Sequence, residues 1–135
     1  DTFRKKNIGH TSTRKGRMGE LLVIQDLLNK GYDVYTPVVD DNGVDLIVMR
    51  DSIAKKVQVK SHDNPSRRVY TSIEINTRLC NNADIIAIPV RAVDCICYVN
   101  AKDTKRAFTI AYLPGLNGQT KGRNWYTDYL EFPWD

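Results

Sequence analysis

Histidine and cysteine are scarce in this chain, and their scarcity removes whole classes of chemistry. With two histidines, His10 and His62, and no Gly-x-x-x-x-Gly-Lys-[Ser/Thr] stretch, there is neither a Ser/His/Asp hydrolase set, nor a haem signature, nor a phosphate-cradling loop of the nucleotide-binding type. Three cysteines are an odd count that builds no disulfide framework, which points to a reducing, cytoplasmic setting. Cys95 and Cys97 fall two apart in a strand-like run and so share one face. Cys80 and the two histidines stand at no finger-like spacing from them, so buried thiols are expected in place of a zinc site. No apolar run reaches the ~18 residues of a membrane span. No charged-then-apolar leader opens the chain, so a secretory signal is not expected either. The first residue is Asp and not Met, which allows for a segment missing or trimmed ahead of it.

What is present fits one domain. At 135 residues, 41% of them apolar, the chain can bury a modest single core, and it holds no repeat or low-complexity tract. The formal net charge is +4, and its placement says more than its size. Arg4, Lys5, Lys6, Arg14, Lys15 and Arg17 crowd the start, Arg67 and Arg68 share one loop, and Lys121 and Arg123 share another. Such patches suit a polyanion, with a solvated basic surface as the alternative. Residues 1–13 read as a basic arm and 14–135 as a single domain.

The most informative stretch runs from Val44 to Ser61. Val44 to Arg50 is nearly continuous in apolar β-formers, a turn falls at Asp51-Ser52, and Lys56 to Ser61 alternates, with Val57 and Val59 on one face and Gln58 and Lys60 on the other. The two arms predict a hairpin with its tip near Asp51 to Lys55. Asp45, Gln58 and Lys60 then gather at one end of a small sheet. A carboxylate and an amide oxygen suit a hard cation such as Mg²⁺, and a nearby ammonium can hold a water or a phosphate oxygen. That is a phosphodiester-hydrolysis site in outline.

Upstream, Met18, Leu21, Leu22, Ile24, Leu27 and Leu28 recur at helical spacing between about Lys15 and Lys30, with hydroxyl caps available at Thr11 to Thr13 and a stop at Gly31. Glu20 falls in the inward arc of that helix, between Leu27 and Ile24, where a carboxylate needs a partner. A metal, Lys60 or the helix N-terminus are the candidates; Arg17 stands where a capping box would need Ser or Thr. Tyr32 to Thr36 reads as a first strand ended by Pro37. In the polar loop Pro37 to Gly43, Asp40 and Asp41 resemble the opening of a calcium loop, but the closing Glu would fall near Arg50, so they read as solvated loop acids or as an extra acid ahead of the hairpin.

Downstream, His62 to Arg68 forms a loop with Asn64, Arg67 and Arg68 on a groove wall. Val69 to Ile75, Ala83 to Val90, Cys95 to Val99 and Arg106 to Leu113 read as strands. Asn76 to Asn82 reads as a turn or short helix. Asn124 to Leu130 reads as a short helix whose Trp125 and Tyr129 pack back on the sheet. The order gives an α/β fold with a central mixed sheet.

Asp45 followed by Gln58-Val59-Lys60 resembles the motif of the PD-(D/E)XK nuclease superfamily, with Gln58 where the pattern usually has Asp or Glu. Gly16-Arg17-Met18-Gly19-Glu20, the apolar helix, Gly31-Tyr32-Asp33-Val34, and near the end Asn117-Gly118-Gln119 and Tyr129-Leu130 extend the similarity from Gly16 to Leu130. The Gln variant is most similar to the branch that includes an intron-encoded homing endonuclease. The resemblance implies a restriction-endonuclease-like core, a mixed sheet flanked by helices, with the Glu20 helix across it. It implies Mg²⁺, with Mn²⁺ able to substitute, held by Asp45, Gln58, the Val59 carbonyl and Glu20. Lys60 would orient the attacking water. Asn64, Arg67, Arg68, Lys121, Arg123, Arg14 and Lys15 are then the expected contacts to double-stranded DNA, and cutting both strands asks for a homodimer or homotetramer. A junction-resolving nuclease, a catalytically silent nucleic-acid-binding module of the same fold, and a plain scaffold in a protein assembly are the other readings.

Overall fold

The structure is a computed structural model that describes residues 11–40, 42–61, 71–115, 118 and 121–135. It opens with helix α1 (Ser12–Asn29). Thr11 caps it, its hydroxyl accepting the Arg14 backbone N–H at 3.1 Å, so the helix begins inside the expected 1–13 arm. It ends where Gly31 takes φ 86°, a conformation that glycine adopts without strain.

Five strands follow α1 into one sheet: β1 (Asp33–Tyr35), β2 (Leu46–Arg50), β3 (Ile53–Val59), β5 (Ile85–Val90) and β6 (Cys95–Asn100). They lie in the order β1-β2-β3-β5-β6, and only β3 and β5 run parallel. The hairpin β2–β3 turns more tightly than expected: Asp51 at φ 57° and Ser52 form the tip, and Ile53 to Lys55 already belong to β3. Pro89 is tolerated within β5 because β3 pairs only as far as Ala87, leaving no ladder partner there for the missing N–H.

The sheet separates two cores. On one face Val23 and Leu27 of α1 pack on Leu46, Val48, Val57, Ile85 and Tyr98. The C-terminal tail closes that core, with Trp134 against Phe132 at 4.6 Å and Tyr32 at 5.0 Å between ring centres. On the other face Ile86, Ile88, Val90, Cys97 and Val99 meet Ile73, Ile75 and Ile110. These last three come from β4 (Ser72–Asn76) and β7 (Ala107–Ala111), an antiparallel pair forming a second, two-stranded sheet. The expected α/β core with a central mixed sheet is thus present, with α1 against one of its faces. Among the described residues α1 is the one α-helix, and the opposite face is covered by β4–β7 and a 3₁₀ turn at Tyr126–Tyr129. Tyr129 packs there against Phe108, as expected of the tail, at 5.4 Å.

The helix face is corrected. Gly19, Val23 and Leu27 form the buried stripe, while Met18, Leu21, Leu22 and Leu28 are exposed. Gly19 sets the approach, because a Cβ at this position would overlap the Ser61 hydroxyl just beyond β3. The N-terminal half of α1 therefore lies against the open end of the β2–β3 hairpin. No helix of the described residues is long and apolar enough to cross a membrane.

Candidate active site

The register of the hairpin builds the site. Leu46 pairs with Val57, the last pair of the ladder, and the Asp45 N–H donates to the same Val57 carbonyl at 2.9 Å, which holds Asp45 at the open end of the hairpin. The Asp45 carboxylate turns back onto β3 and accepts the Val59 N–H at 2.7 Å. Because the N–H and C=O of an extended residue point to the same side, the Val59 carbonyl faces the Asp45 side as well. The Lys60 N–H donates instead to the Ala87 carbonyl on β5 at 2.9 Å, which ties the residue after β3 to the neighbouring parallel strand.

Across the hairpin end lies α1. Ser12, Lys15, Gly16 and Glu20 from the helix, with Asp45, Gln58, Val59 and Ser61 from the sheet, line a groove of about 350 Å³. Glu20 is half-buried and has a cation beside it, Arg17 one turn earlier at 3.2 Å. None of the three partners first considered for Glu20 is needed to account for that contact. The loop after β1 brings in one more acid. Asn42 accepts the Val44 N–H at 3.3 Å through its side chain, and Asn82 donates to the Asn42 carbonyl at 2.9 Å. Gly43, at φ 82°, leaves its α-carbon open to the Gln58 amide, which a Cβ would approach to 3.4 Å. The fold of this loop puts Asp40 beside Asp45, and one carboxylate oxygen each from Glu20, Asp40 and Asp45 lie within 4.8 Å of one another.

This crowding shows in the chemistry of Asp45. Burial pushes its pKa up from 3.8 to about 6, the Val59 N–H opposes the shift, and Asp40 and Glu20 add to it. Three carboxylates at this spacing repel one another unless a proton or a cation sits among them. The donor set consists of hard oxygens, with the Gln58 amide alongside, and that fits Mg²⁺ or Mn²⁺ better than a soft ion. Lys60 is half-buried at the same end of the sheet. Its ammonium acts on the buried Cys80 thiol, partly offsetting the rise that burial imposes, and Asp45 acts on the same thiol with opposite sign.

Asp45, Gln58, Val59 and Glu20 are thus brought to one groove. Lys60 is near it, at the Cys80 side. Lys15 lines the groove and Arg14 is exposed one position earlier. Lys121 is exposed on a separate turn. The Arg123 guanidinium donates to the Leu113 carbonyl at 2.7 Å and the Thr71 hydroxyl at 3.2 Å, and lies over Trp125. Asn64, Arg67 and Arg68, with His62, Asp41, Asn117 and Gln119, lie outside the described residues. Asp40 is the residue that spacing alone left as a solvated acid. Its signal was present in Asn42-Gly43, a pair suited to reversing the chain just before the hairpin.

Comparison with known proteins bears on the family and the fold. The family model described as PD-(D/E)XK endonuclease matches residues 10–131. A bacterial homing endonuclease, I-Ssp6803I, superposes with a TM-score of 0.68 at 18% identity, covering 82% of this chain and 83% of that one. The Holliday junction resolvase Hjc of Archaeoglobus fulgidus aligns with a TM-score of 0.47 at 14% identity, over 72% of this chain and 84% of its own. Among curated proteins none gives a significant sequence match. Since the family match takes in α1, the hairpin and both sheets, the chain belongs to the PD-(D/E)XK endonuclease family.

Proposed function

We propose that this nuclease is a Mg²⁺-dependent endodeoxyribonuclease of the site-specific, homing type, with Mn²⁺ able to replace Mg²⁺. The observation that carries the reading is the meeting of Glu20, Asp40 and Asp45 beside Gln58, in a chain whose family is that of metal-dependent nucleases. A bound divalent cation would supply Lewis acidity toward a phosphodiester and lower the pKa of a water. Asp45 is the principal ligand, oriented by the Val59 N–H. Glu20, the Gln58 amide oxygen and the Val59 carbonyl complete the donor set. Lys60 orients the attacking water and offsets charge as the phosphorus becomes five-coordinate. Lys15, which lines the groove, and Arg14, exposed next to it in α1, hold the DNA backbone, joined by Lys121 and by Asn64, Arg67 and Arg68. Two strands need two such sites, so the working form is a homodimer or homotetramer.

The silent-binder reading rested on the charge that Gln58 fails to bring. Asp40 restores that charge from the neighbouring loop, which favours an active site. The test is supercoiled plasmid incubated with purified protein and Mg²⁺, beside Lys60→Ala. Nicked and linear products from the parent protein alone are expected. Equal cleavage by both proteins would remove Lys60 from the mechanism, and no cleavage by either would return the silent binder.

A further inference from the structure

The three most exposed large apolar side chains among the described residues all stand on two loops that are joined to each other, one of which carries Asp40 of the acidic cluster. Val38 is fully exposed, Leu79 is 82% exposed and Val39 64%, whereas the next, Leu28 on the helix, is 56% exposed. Val38 and Val39 immediately precede Asp40. Leu79 immediately precedes Cys80, whose thiol feels both Lys60 and Asp45. The two loops are joined by the Asn82 to Asn42 hydrogen bond. Nor is Leu79 exposed for want of structure: its turn is held by the Arg78 N–H on the Asn76 side chain at 3.0 Å and the Cys80 N–H on the Thr77 carbonyl at 3.2 Å, with Thr77 and Cys80 buried on either side. The fold thus presents aliphatic tips on ordered loops, next to a site for a polyanion.

Aliphatic groups gain nothing from phosphates. The apolar surfaces a duplex can offer are base faces, reached when a base step is opened. We propose that Val38, Val39 and Leu79 form an apolar rim that inserts against bases unstacked beside the cleaved bond, so that the substrate is DNA opened locally at the cut. Arg78, exposed beside Leu79, supplies a phosphate contact next to the wedge. The inference rests on the nuclease reading in taking DNA as the ligand.

The test measures binding of a fluorescent random-sequence duplex in EDTA over a range of salt, for the parent protein and V38S/V39S/L79S. It is repeated with a duplex carrying a short mismatched bubble. The expected result is a loss of about tenfold or more in affinity for the triple variant, since full burial of even one Val or Leu side chain is worth about that much. The slope of log affinity on log salt should stay unchanged, because no phosphate contact is removed. The parent should prefer the bubble, and the variant should lose that preference. Equal affinities, a flattened slope, or no bubble preference in the parent overturns the proposal. So does a change of subunit number in the variant, which would make the rim a protein interface. Plasmid cleavage by the parent and by Asp45→Ala is followed in parallel. Its absence in both would sink the nuclease reading while the binding arms still judge the rim.

Discussion

The two halves of α1 treat their carboxylates in opposite ways. Toward its C-terminal end, Asp26 accepts the Tyr98 hydroxyl at 2.5 Å and lies 3.7 Å from the Lys30 ammonium, so its charge is met from two sides. Burial, with Asp26 beside it, pushes the Tyr98 pKa up and keeps the phenol a donor. Toward the N-terminal end, Glu20 has Arg17 beside it at 3.2 Å but also faces Asp45 and Asp40, so one cation stands by three carboxylates, and one backbone N–H is what Asp45 receives. The same helix on the same sheet therefore carries one acid that is balanced and a group of acids that is not. Balanced charge holds the fold. Unbalanced charge in a groove is what the proposed cation would offset, and a perturbed carboxyl there is a mark of a functional site.

Removing a carboxylate from the crowded end of the helix has the largest expected effect. Asp45→Ala is expected to lower Mg²⁺-dependent cleavage by on the order of a thousandfold, without lowering the urea midpoint of metal-free protein at neutral pH. Plasmid cleavage rates and unfolding curves on one preparation decide it. A large loss of stability would mean that Asp45 holds the hairpin rather than the cation.

The glycines that bring α1 to the groove give the next largest effect. Gly16 has open space where a Cβ would stand, while Gly19 is pressed on Ser61. In an ordinary helix interior Gly→Ala stabilises by about 1 kcal/mol. Gly16→Ala should do so. Gly19→Ala should instead destabilise by about 1–3 kcal/mol, the usual cost of overpacking, and Ser61→Gly in the same chain should restore most of it. Equal and favourable effects at both positions would show that the helix stands further from β3 than the structure has it.

The hairpin and the helix were legible in the sequence because their patterns are local. Alternation at Val57 and Val59 and the near-continuous run before Asp51 determine which residues of β2 and β3 face the core, and the open end of the hairpin then brings Asp45 and Gln58 to one groove. The buried face of α1 was not legible. Met18, Leu21, Leu22, Val23, Ile24, Leu27 and Leu28 cover more than half of the helix circumference, so periodicity leaves several candidate faces. The choice falls to Gly19, where the sheet comes closest. The β4–β7 sheet was hidden for a related reason: each strand is readable, but their pairing joins Ile73 to Ile110 across the whole of β5 and β6. Asp40 and Arg123 depended on tertiary contacts, through Asn82 in one case and Thr71 in the other.

A smaller effect is expected from the balanced half. Tyr98→Phe removes the hydroxyl from Asp26 and leaves a half-buried carboxylate with Lys30 alone. A cost of about 1–2 kcal/mol is expected for a hydrogen bond to a charged group, read as a lower urea midpoint, with cleavage at a temperature well below unfolding unchanged. Cleavage falling in step with Asp45→Ala would join the two halves of α1 into one functional unit and dissolve the contrast.

The finest distinction lies in pH. Asp45 ionises near 3.8 when unfolded and at about 6 when folded, so between those values the native state holds the proton more tightly. Its contribution to stability is therefore complete below pH 3.8 and is lost as pH rises through about 6. Asp45→Asn keeps an oxygen for the Val59 N–H but cannot ionise. In EDTA, the stability of the variant relative to the parent should thus widen in its favour from about pH 4 to 6 and stay level above that. The gap will fall short of the full shift, because the groove is open to solvent. The charges of Asp40 and Glu20 add to the rise that burial imposes on Asp45. Mg²⁺ should close the gap at pH 7 by stabilising the parent alone, and near pH 6 its binding should release protons measurable by calorimetry in buffers of different ionisation heat. Parallel stability curves for parent and variant, with no proton release, would mean that the three acids do not share a site, and the two halves of the helix would then be alike.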